Sequence, residues 1–282
     1  MRNTFCGWYF KCQSPEHTLA LIPAVHDAQG IRSGSIQIIS NTDHWNIPLA
    51  PERLQIQKDR PRAVLGKNHF CEDWIHLDLH TRSISAKGEL YFGPPTSLRY
   101  DIMGPFRYVP FMECRHNVFS MRHRVDGCLT INGTPYCFEN DLGYLEGDQG
   151  HSFPKHYIWT QCCFPEGSLM LSVAEIPFGP FCFTGIIGVL LLRGKEYRLA
   201  TYLGAKAIKI QDGEVMVRQG DLQLTATLLE QTAYPLQAPV GGKMTRTIRE
   251  NVACHAQYQF SKKGYPLWVL ETHKASFEYE YP

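Results

Sequence analysis

The stretch AIKIQDGEVMVRQGDLQLTATL, residues 207–228, shows most clearly how this chain folds. Apolar and polar residues alternate in three short runs, which is the pattern of strands with one buried face. Asp212-Gly213 and Gln219-Gly220-Asp221 separate the runs, and both are combinations that form tight turns. Because strands joined by tight turns pair in opposite directions, this stretch predicts an antiparallel sheet.

The same pattern recurs elsewhere in the chain, where two-residue turn signals separate short apolar runs. These signals are Asn132-Gly133, Arg193-Gly194 and Lys263-Gly264. Strands spaced by about 8–12 residues are typical of an antiparallel barrel or sandwich. No segment has the sustained helical period, so we predict an all-β fold with few short helices.

The longest run without charged residues extends from Ile176 to Leu192. It contains two prolines and three glycines, which do not suit a membrane-spanning helix. We interpret it as a loop that feeds a strand, Ile186 to Leu192, buried on both faces.

Length and charge limit the class of protein. The chain has 282 residues, of which 44% are hydrophobic, so it is long enough for two β-rich halves. We place these halves at residues 1–110 and 111–282, with the proline- and aromatic-rich segment before residue 112 as the connector. The 28 basic and 27 acidic residues give a net charge of +1, which excludes a nucleic-acid partner held by a basic surface.

Ten cysteines are present, and none forms a CxxC pair. The N-terminal residues contain no apolar signal segment, so we expect thiols in a reducing cytoplasm rather than disulfides. His151 and His156 lie five residues apart without a third ligand at a useful spacing. We therefore predict neither a metal nor another cofactor. The signatures of P-loop proteins, dinucleotide-binding proteins and serine hydrolases are also missing.

The central stretch, Gly143 to Cys163, combines carboxylates, histidines, aromatic rings and glycines. If it is extended, Tyr144, Glu146 and Asp148 share one face. Burial among aromatic rings would raise the pKa of a carboxyl group, which could then protonate an alkene as a general acid. The rings could stabilise the resulting carbocation. Alternatively, both carboxylates are solvated turn residues around Gly147.

Other candidates flank this stretch. His116 and His123 either line a site or are partly exposed strand residues. Tyr157, Trp159 and Gln161 alternate along a predicted strand, where ring packing is the simpler interpretation and Gln161 would need interior partners.

The central residues resemble a motif of the tocopherol cyclase family. The motif is Tyr144-x-Glu146-x-x-x-Gly150-x-x-Phe153-Pro154, followed by Trp159-x-Gln161-Cys162. Segments near both ends are also similar to that family, namely Gly7 to Lys11, Tyr234 to Pro239 and Leu270 to Ser276.

The resemblance implies a two-part architecture of lipocalin-like antiparallel β-barrel or sandwich halves packed together, shared with the more distantly similar carotenoid 1,2-hydratases. It implies that Glu146 protonates a double bond in a prenyl chain, with Tyr144 and Asp148 beside it. By position, Phe153 and Trp159 become ring walls, and Tyr157 is a further candidate for substrate binding. Gln161 becomes an orienting polar group, and His116 supports the acid.

This sequence departs from the cyclase pattern at two places. Asp148-Gln149 replaces the family's Asn-Trp pair, and Cys163 replaces an Asn. We therefore predict cyclisation or hydration of a prenylated or otherwise lipidic substrate of undetermined identity. The alternative is a lipocalin-like protein that binds a hydrophobic ligand without converting it. Peripheral contact with a membrane is left open at this stage.

Overall fold

The computed structural model describes residues 3–51, 54–57, 59–109, 112–178, 180–230 and 233–282. Within these residues the chain is built almost entirely of strands, in curled antiparallel sheets that form half-barrels, so the predicted all-β, lipocalin-like fold is confirmed. The two short helices are 3-10 helices at Gly104–Tyr108 and Thr201–Leu203. None of the described helices is long and apolar enough to cross a bilayer.

The residues form two compact units. Unit 1 contains Met1–Asp101, Pro110–Phe153 and Leu236–Thr247, and unit 2 contains Ile102–Val109, Pro154–Pro235 and Ile248–Pro282. The predicted boundary falls between residues 110 and 111, which lie outside the described residues, and it stays a prediction. The central motif up to Phe153 is in unit 1, whereas the sequence analysis assigns it to the second half.

An 11-stranded sheet forms most of unit 1, in the order β4-β3-β2-β1-β11-β10-β9-β8-β7-β6-β5. Its strands are β1 (Thr4–Gln13), β2 (Thr18–Ala28), β3 (Ile31–Ser40), β4 (His44–Leu49), β5 (Leu54–Gln57), β6 (Arg62–Leu65), β7 (Asn68–Phe70), β8 (Trp74–His80), β9 (Ser85–Phe92), β10 (Cys114–Ile131) and β11 (Thr134–Gly150). All pairings are antiparallel, and the one between β1 and β11 joins the N-terminus to the middle of the chain.

Unit 2 is built on a 10-stranded sheet in the order β15-β14-β13-β12-β21-β20-β18-β17-β16, with β19 beside β20. Its strands are β12 (Tyr157–Phe164), β13 (Gly167–Phe178), β14 (Phe181–Leu192), β15 (Lys195–Ala200), β16 (Lys206–Gln211), β17 (Glu214–Gln219), β18 (Leu222–Leu228), β19 (Tyr234–Val240), β20 (Lys243–Lys262) and β21 (Tyr265–Tyr279). Most of β19 and the first residues of β20 belong to unit 1.

The predicted tight turns are present. Four of them have positive φ at both central residues, the conformation of a type I′ hairpin turn: Asn132-Gly133, Arg193-Gly194, Asp212-Gly213 and Lys263-Gly264. This turn matches the right-handed twist of the strands that it joins. The short-range signals therefore place these hairpins correctly.

The segment from Ile176 to Gly185 differs from its prediction as a loop. β13 continues to Phe178 and β14 begins at Phe181, and these two residues pair with each other. Phenylalanine and isoleucine favour strands, and this preference outweighs the turn-forming residues among them.

The cysteine prediction is wrong at one pair. Cys128 and Cys137 lie directly opposite each other on β10 and β11 and form a disulfide. The hairpin at Asn132-Gly133 sets this register, because each cysteine is the same number of residues from the turn. The other eight cysteines carry thiols.

Candidate active site

Four of the predicted site residues lie together in unit 1. Tyr144, Glu146 and Asp148 alternate along β11, so they share one face of the sheet. His116 of β10 is directly opposite Asp148 in the register and joins that face. The extended interpretation of the central stretch is confirmed, and the alternative of a solvated turn around Gly147 is wrong.

The opposite face of β11 holds the strand against the apolar core of unit 1. Leu145 is part of that core, together with Trp8 of β1. A Cβ atom added at Gly147 would lie only 2.7 Å from the indole of Trp8. Gly147 is thus needed for close packing rather than for a turn, and the polar face is fixed by the apolar one behind it.

The four side chains form a continuous network. The hydroxyl of Tyr144 donates a hydrogen bond of 2.5 Å to Oε2 of Glu146. That same oxygen lies 3.1 Å from Nε2 of His116, and Nδ1 of His116 lies 3.0 Å from Oδ1 of Asp148. The contact at Nε2 is short enough for an ion pair but does not have the geometry of a hydrogen bond. The contact at Nδ1 has both the distance and the geometry of a hydrogen bond.

Burial makes this network electrostatically strong. Tyr144 is fully buried, and Glu146 and His116 are 4% and 8% exposed. Burial alone would lower the pKa of His116, but the adjacent charges of Glu146 and Asp148 outweigh it and hold that pKa well above its usual range. His116 is therefore an imidazolium at neutral pH, held between two carboxylates.

This arrangement differs from the environment predicted for Glu146. The sequence pattern predicts a carboxyl group surrounded by aromatic rings. In the structure its neighbours are the phenol of Tyr144 and the imidazolium of His116. The mobile proton thus belongs to a chain of groups rather than to one isolated acid.

Cys114 extends the network and was missed in the sequence. Its Sγ atom lies 3.3 Å from Oδ1 of Asp148. Burial, followed by the Asp148 charge, raises the pKa of the thiol well above its usual range, so Cys114 remains a donor. Its two-residue spacing from His116 on a strand is the signal that would have indicated it.

Two β1 residues also belong to this face and were not singled out in the sequence. Tyr9 is directly opposite Glu146, and Lys11 is directly opposite Tyr144. Lys11 is only 1% exposed, which is rare for lysine. The sequence shows Lys11 as a charged residue inside an otherwise apolar strand. Only the strand register shows that Lys11 lies opposite Tyr144.

A surface copy of the same contacts exists in unit 1. Tyr91 donates a short hydrogen bond to Glu89, and Nδ1 of His76 lies 3.1 Å from the other oxygen of Glu89. These groups lie on exposed parts of β8 and β9, where solvent weakens their interaction. This trio provides a matched control for the buried one.

His123 does not join the site. It is opposite Gly143, packs edge-on against Phe92 at 5.0 Å, and contacts Ser120 through Nδ1 at 3.0 Å. Burial lowers the pKa of His123 to about 4. Burial likewise lowers the pKa of His26 to about 4, against a smaller opposing effect of Asp27.

These two histidines predict a loss of stability in mild acid. Their folded-state pKa values lie below the unfolded value, so the neutral forms stabilise the fold fully above about pH 6.5. This contribution should disappear as the pH falls toward 4, at a cost of about 3 kcal/mol for each histidine. Urea unfolding at pH 7 and pH 4.5 measures it, with His123→Gln losing about half of the pH dependence. An unchanged pH dependence in His123→Gln would contradict the assignment.

The other predicted residues are placed as follows. Phe153 is in unit 1, where its ring packs edge-on against Phe5 at 5.4 Å. Tyr157, Trp159 and Gln161 are in unit 2 on one face of β12, and all three are buried.

These β12 side chains have polar neighbours of their own. Tyr157 donates a short hydrogen bond to Glu278, which lies opposite Trp159 in the sheet. Gln161 donates to Sγ of Cys163 at 3.3 Å, while its Oε1 atom has no hydrogen-bond partner among the described residues. Glu278 is a further buried acid that sequence reasoning missed.

The site also has the spacing of a metal centre. Ligand atoms of His116, Glu146 and Asp148 all lie within 4.8 Å of one another. As metal ligands, the sequence pattern indicated only His151 and His156, whose five-residue spacing lacks a third ligand. It did not indicate the trio of His116, Glu146 and Asp148. Imidazole binds a metal only in its neutral form, whereas the two carboxylates favour the protonated one. A metal ion and the His116 proton would therefore compete for this position.

The sequence matches no family model and no curated protein. The structure, by contrast, is similar to solved ones. It matches CghA with Sch210972 at a TM-score of 0.65 and 9% identity, over 99% of this chain and 88% of that chain. It also matches kievitone hydratase from Nectria haematococca at 0.58 and 10% identity, over 99% of this chain and 89% of that chain. The chain has their fold.

At such low identity, the likeness shows the fold alone. The resemblance to tocopherol cyclases rests on the central motif and on segments near both ends of the chain, and it stays a prediction.

Proposed function

We propose that this chain is an acid–base enzyme that protonates a carbon–carbon double bond in an apolar substrate, leading to cyclisation or to addition of water. The observation that carries the proposal is His116, buried between Glu146 and Asp148, with the Tyr144 hydroxyl on the same Glu146 oxygen. Titratable groups coupled at hydrogen-bond distance in a buried site are typical of proton-transfer catalysis.

The proposed cycle balances its protons. Glu146 takes the Nε2 proton of the His116 imidazolium and delivers it to the alkene, and a tertiary or otherwise stabilised cation forms. An oxygen of the substrate or of water adds to this cation and releases its own proton to the Glu146 carboxylate. Glu146 returns this proton to Nε2 of His116, so the enzyme ends each turnover in its starting state.

The rings near the acid support this chemistry. Tyr144 and Tyr9 lie beside Glu146 on the same face of the sheet, and both are buried. The negative faces of aromatic rings stabilise cations, and more strongly where water is excluded. The name of kievitone hydratase, a protein with this fold, is compatible with addition of water.

The finer proposal is a tocopherol cyclase-type reaction on a prenylated hydroquinone. The motif from Tyr144 to Cys162 supports it, because it retains the family's Tyr-x-Glu pair and the following Trp159-x-Gln161. Gln149 replaces the family's tryptophan, which argues for a substrate different from the family's own.

Incubation with prenylated hydroquinones and prenylated phenols in D2O tests the proposal. Protonation of the alkene carbon should leave one deuterium on carbon in a cyclised or hydrated product, without any added cofactor. Mass spectrometry detects both the label and the product. If every compound is recovered unchanged and unlabelled but binds saturably, the proposal of catalysis is wrong. The protein would then be a binding protein for a hydrophobic ligand.

A further inference from the structure

The hairpin of β13 and β14 extends beyond its neighbours in unit 2. The last pair between β12 and β13 is Tyr157 with Ala174, and the first pair between β14 and β15 is Ile187 with Ala200. Within the hairpin, however, pairing continues to Phe178 and Phe181. Its outer part is therefore a two-stranded ribbon with no further described strand on either side.

The described outer part of this ribbon is uncharged and apolar. The sequence from 176 to 183 reads IPFGPFCF, and we call its described residues, 176–178 and 180–183, the hairpin tip. Phe181 is 73% exposed, and Pro177, Pro180 and Cys182 are exposed as well. A two-stranded ribbon is marginally stable in water by itself, so an exposed apolar tip of this kind indicates a surface that becomes covered.

A second aromatic element packs against the tip. Phe106, in the 3-10 helix Gly104–Tyr108, packs against Phe183 at 6.1 Å and against Tyr202 at 5.8 Å. In the same helix Tyr108 is 78% exposed, and the guanidinium of Arg107 lies 5.3 Å from its ring centre. The helix that packs against the tip thus adds an exposed tyrosine and an arginine to the phenylalanine and proline of the tip.

That combination of residues suits the surface of a bilayer. Phenylalanine and proline suit the boundary of the acyl chains, whereas tyrosine and arginine are favoured at the headgroups. Arg107 provides a positive charge where anionic headgroups would lie. The nearest acid along β13 is Glu175, which lies at the base of the ribbon.

We propose that the hairpin tip inserts into the surface of a lipid bilayer, with Tyr108 and Arg107 at the level of the headgroups. A protein strand is a less suitable occupant, because Pro177 and Pro180 cannot donate to an added strand. The tip also carries no charged group that would select a protein partner. This proposal goes beyond the catalytic one and does not depend on it.

Vesicle flotation tests the proposal with a matched control. Phe181→Ser should lower binding to phosphatidylcholine–phosphatidylserine vesicles about tenfold, because the tip loses its most exposed ring. Tyr265→Ser removes an equally exposed ring, 75% exposed, at the β20–β21 turn and should bind as the wild type does. Arg107→Gln should weaken binding to these vesicles but not to pure phosphatidylcholine vesicles.

Cys182 allows depth to be measured directly, since it is the only exposed one among the eight cysteine thiols. An environment-sensitive dye at Cys182 should shift to shorter wavelength with vesicles and be quenched by nitroxide-labelled lipids. In the double variant Cys182→Ser/Tyr265→Cys the dye is attached at position 265. There it should show neither the wavelength shift nor the quenching. Absence of vesicle binding by the wild type, or equal binding by Phe181→Ser, would overturn the proposal whatever the outcome of the turnover assay.

Discussion

Glu146→Gln is expected to lower turnover about a thousandfold, because the amide cannot transfer a proton to the alkene. The fold should persist. The amide oxygen can still accept the hydrogen bond of Tyr144, and Asp148 still pairs with His116. We expect a loss of unfolding free energy of about 2 kcal/mol, which is the order of one charged hydrogen bond. Turnover, circular dichroism and urea unfolding measure these effects.

Glu89→Gln is the matched control for this variant. It makes the same change to a carboxylate that contacts a tyrosine hydroxyl and a histidine, here Tyr91 and His76, at the exposed face of β8 and β9. Its turnover should equal that of the wild type. If Glu146→Gln keeps wild-type turnover, or if Glu89→Gln loses it, Glu146 is not the proton donor.

His116→Asn is expected to have the largest effect on stability. It removes the cation between Glu146 and Asp148, and breaking a buried ion pair by deleting one partner costs about 3–5 kcal/mol. His76→Asn, at the exposed copy of the contact, should cost less than about 1 kcal/mol. Turnover of His116→Asn should also fall about a hundredfold, because Glu146 loses its proton supply.

Adding Asp148→Asn to His116→Asn separates the electrostatic effect from a packing effect. If repulsion between the carboxylates causes the loss, the double variant should be more stable than His116→Asn alone. Equal or lower stability of the double variant would show that His116 acts through packing.

The pH dependence of the His116 contribution has a definite sign. The folded-state pKa of His116 is raised above the unfolded value, so its stabilisation is fully present below about pH 6.5. It is lost as the pH rises through the raised value. The stability difference between wild type and His116→Asn should therefore shrink in alkaline solution.

Local sequence patterns predicted much of the fold. The four type I′ turns follow from dipeptides with glycine in the second position, preceded in two of them by Asn132 or Asp212, which also favour positive φ. The shared face of Tyr144, Glu146 and Asp148 follows from the period of two along an extended strand. Both the turn dipeptides and the period of two involve only a few neighbouring residues. The predictions based on them therefore hold in any tertiary structure that keeps the segment extended.

The site is only partly visible in such patterns. β10 contains register shifts between Val118 and Ser120 and between Ser120 and His123. Because each irregularity changes which residue faces which neighbour, counting back from the Asn132-Gly133 turn does not pair His116 with Asp148. Only the actual register shows that His116 is at the centre of the network.

Three features depended entirely on tertiary structure. The pairing of β1 with β11 puts the central motif into unit 1 and brings Tyr9 opposite Glu146. The environment of Glu146 contains an imidazolium, which the motif did not indicate. The uncharged run from Ile176 became a projecting hairpin, because its neighbours end earlier than it does.

The sequence alone determined the strand character, the tight turns and the common face of Tyr144, Glu146 and Asp148. Only the tertiary structure decided that His116 stands between the two carboxylates and that this group is buried. The physical reason is that alternation and turn conformation are encoded within a few residues. Strand partners, by contrast, depend on which apolar faces bury one another across the whole chain. The proton-transfer network exists because that burial places one cation between two acids.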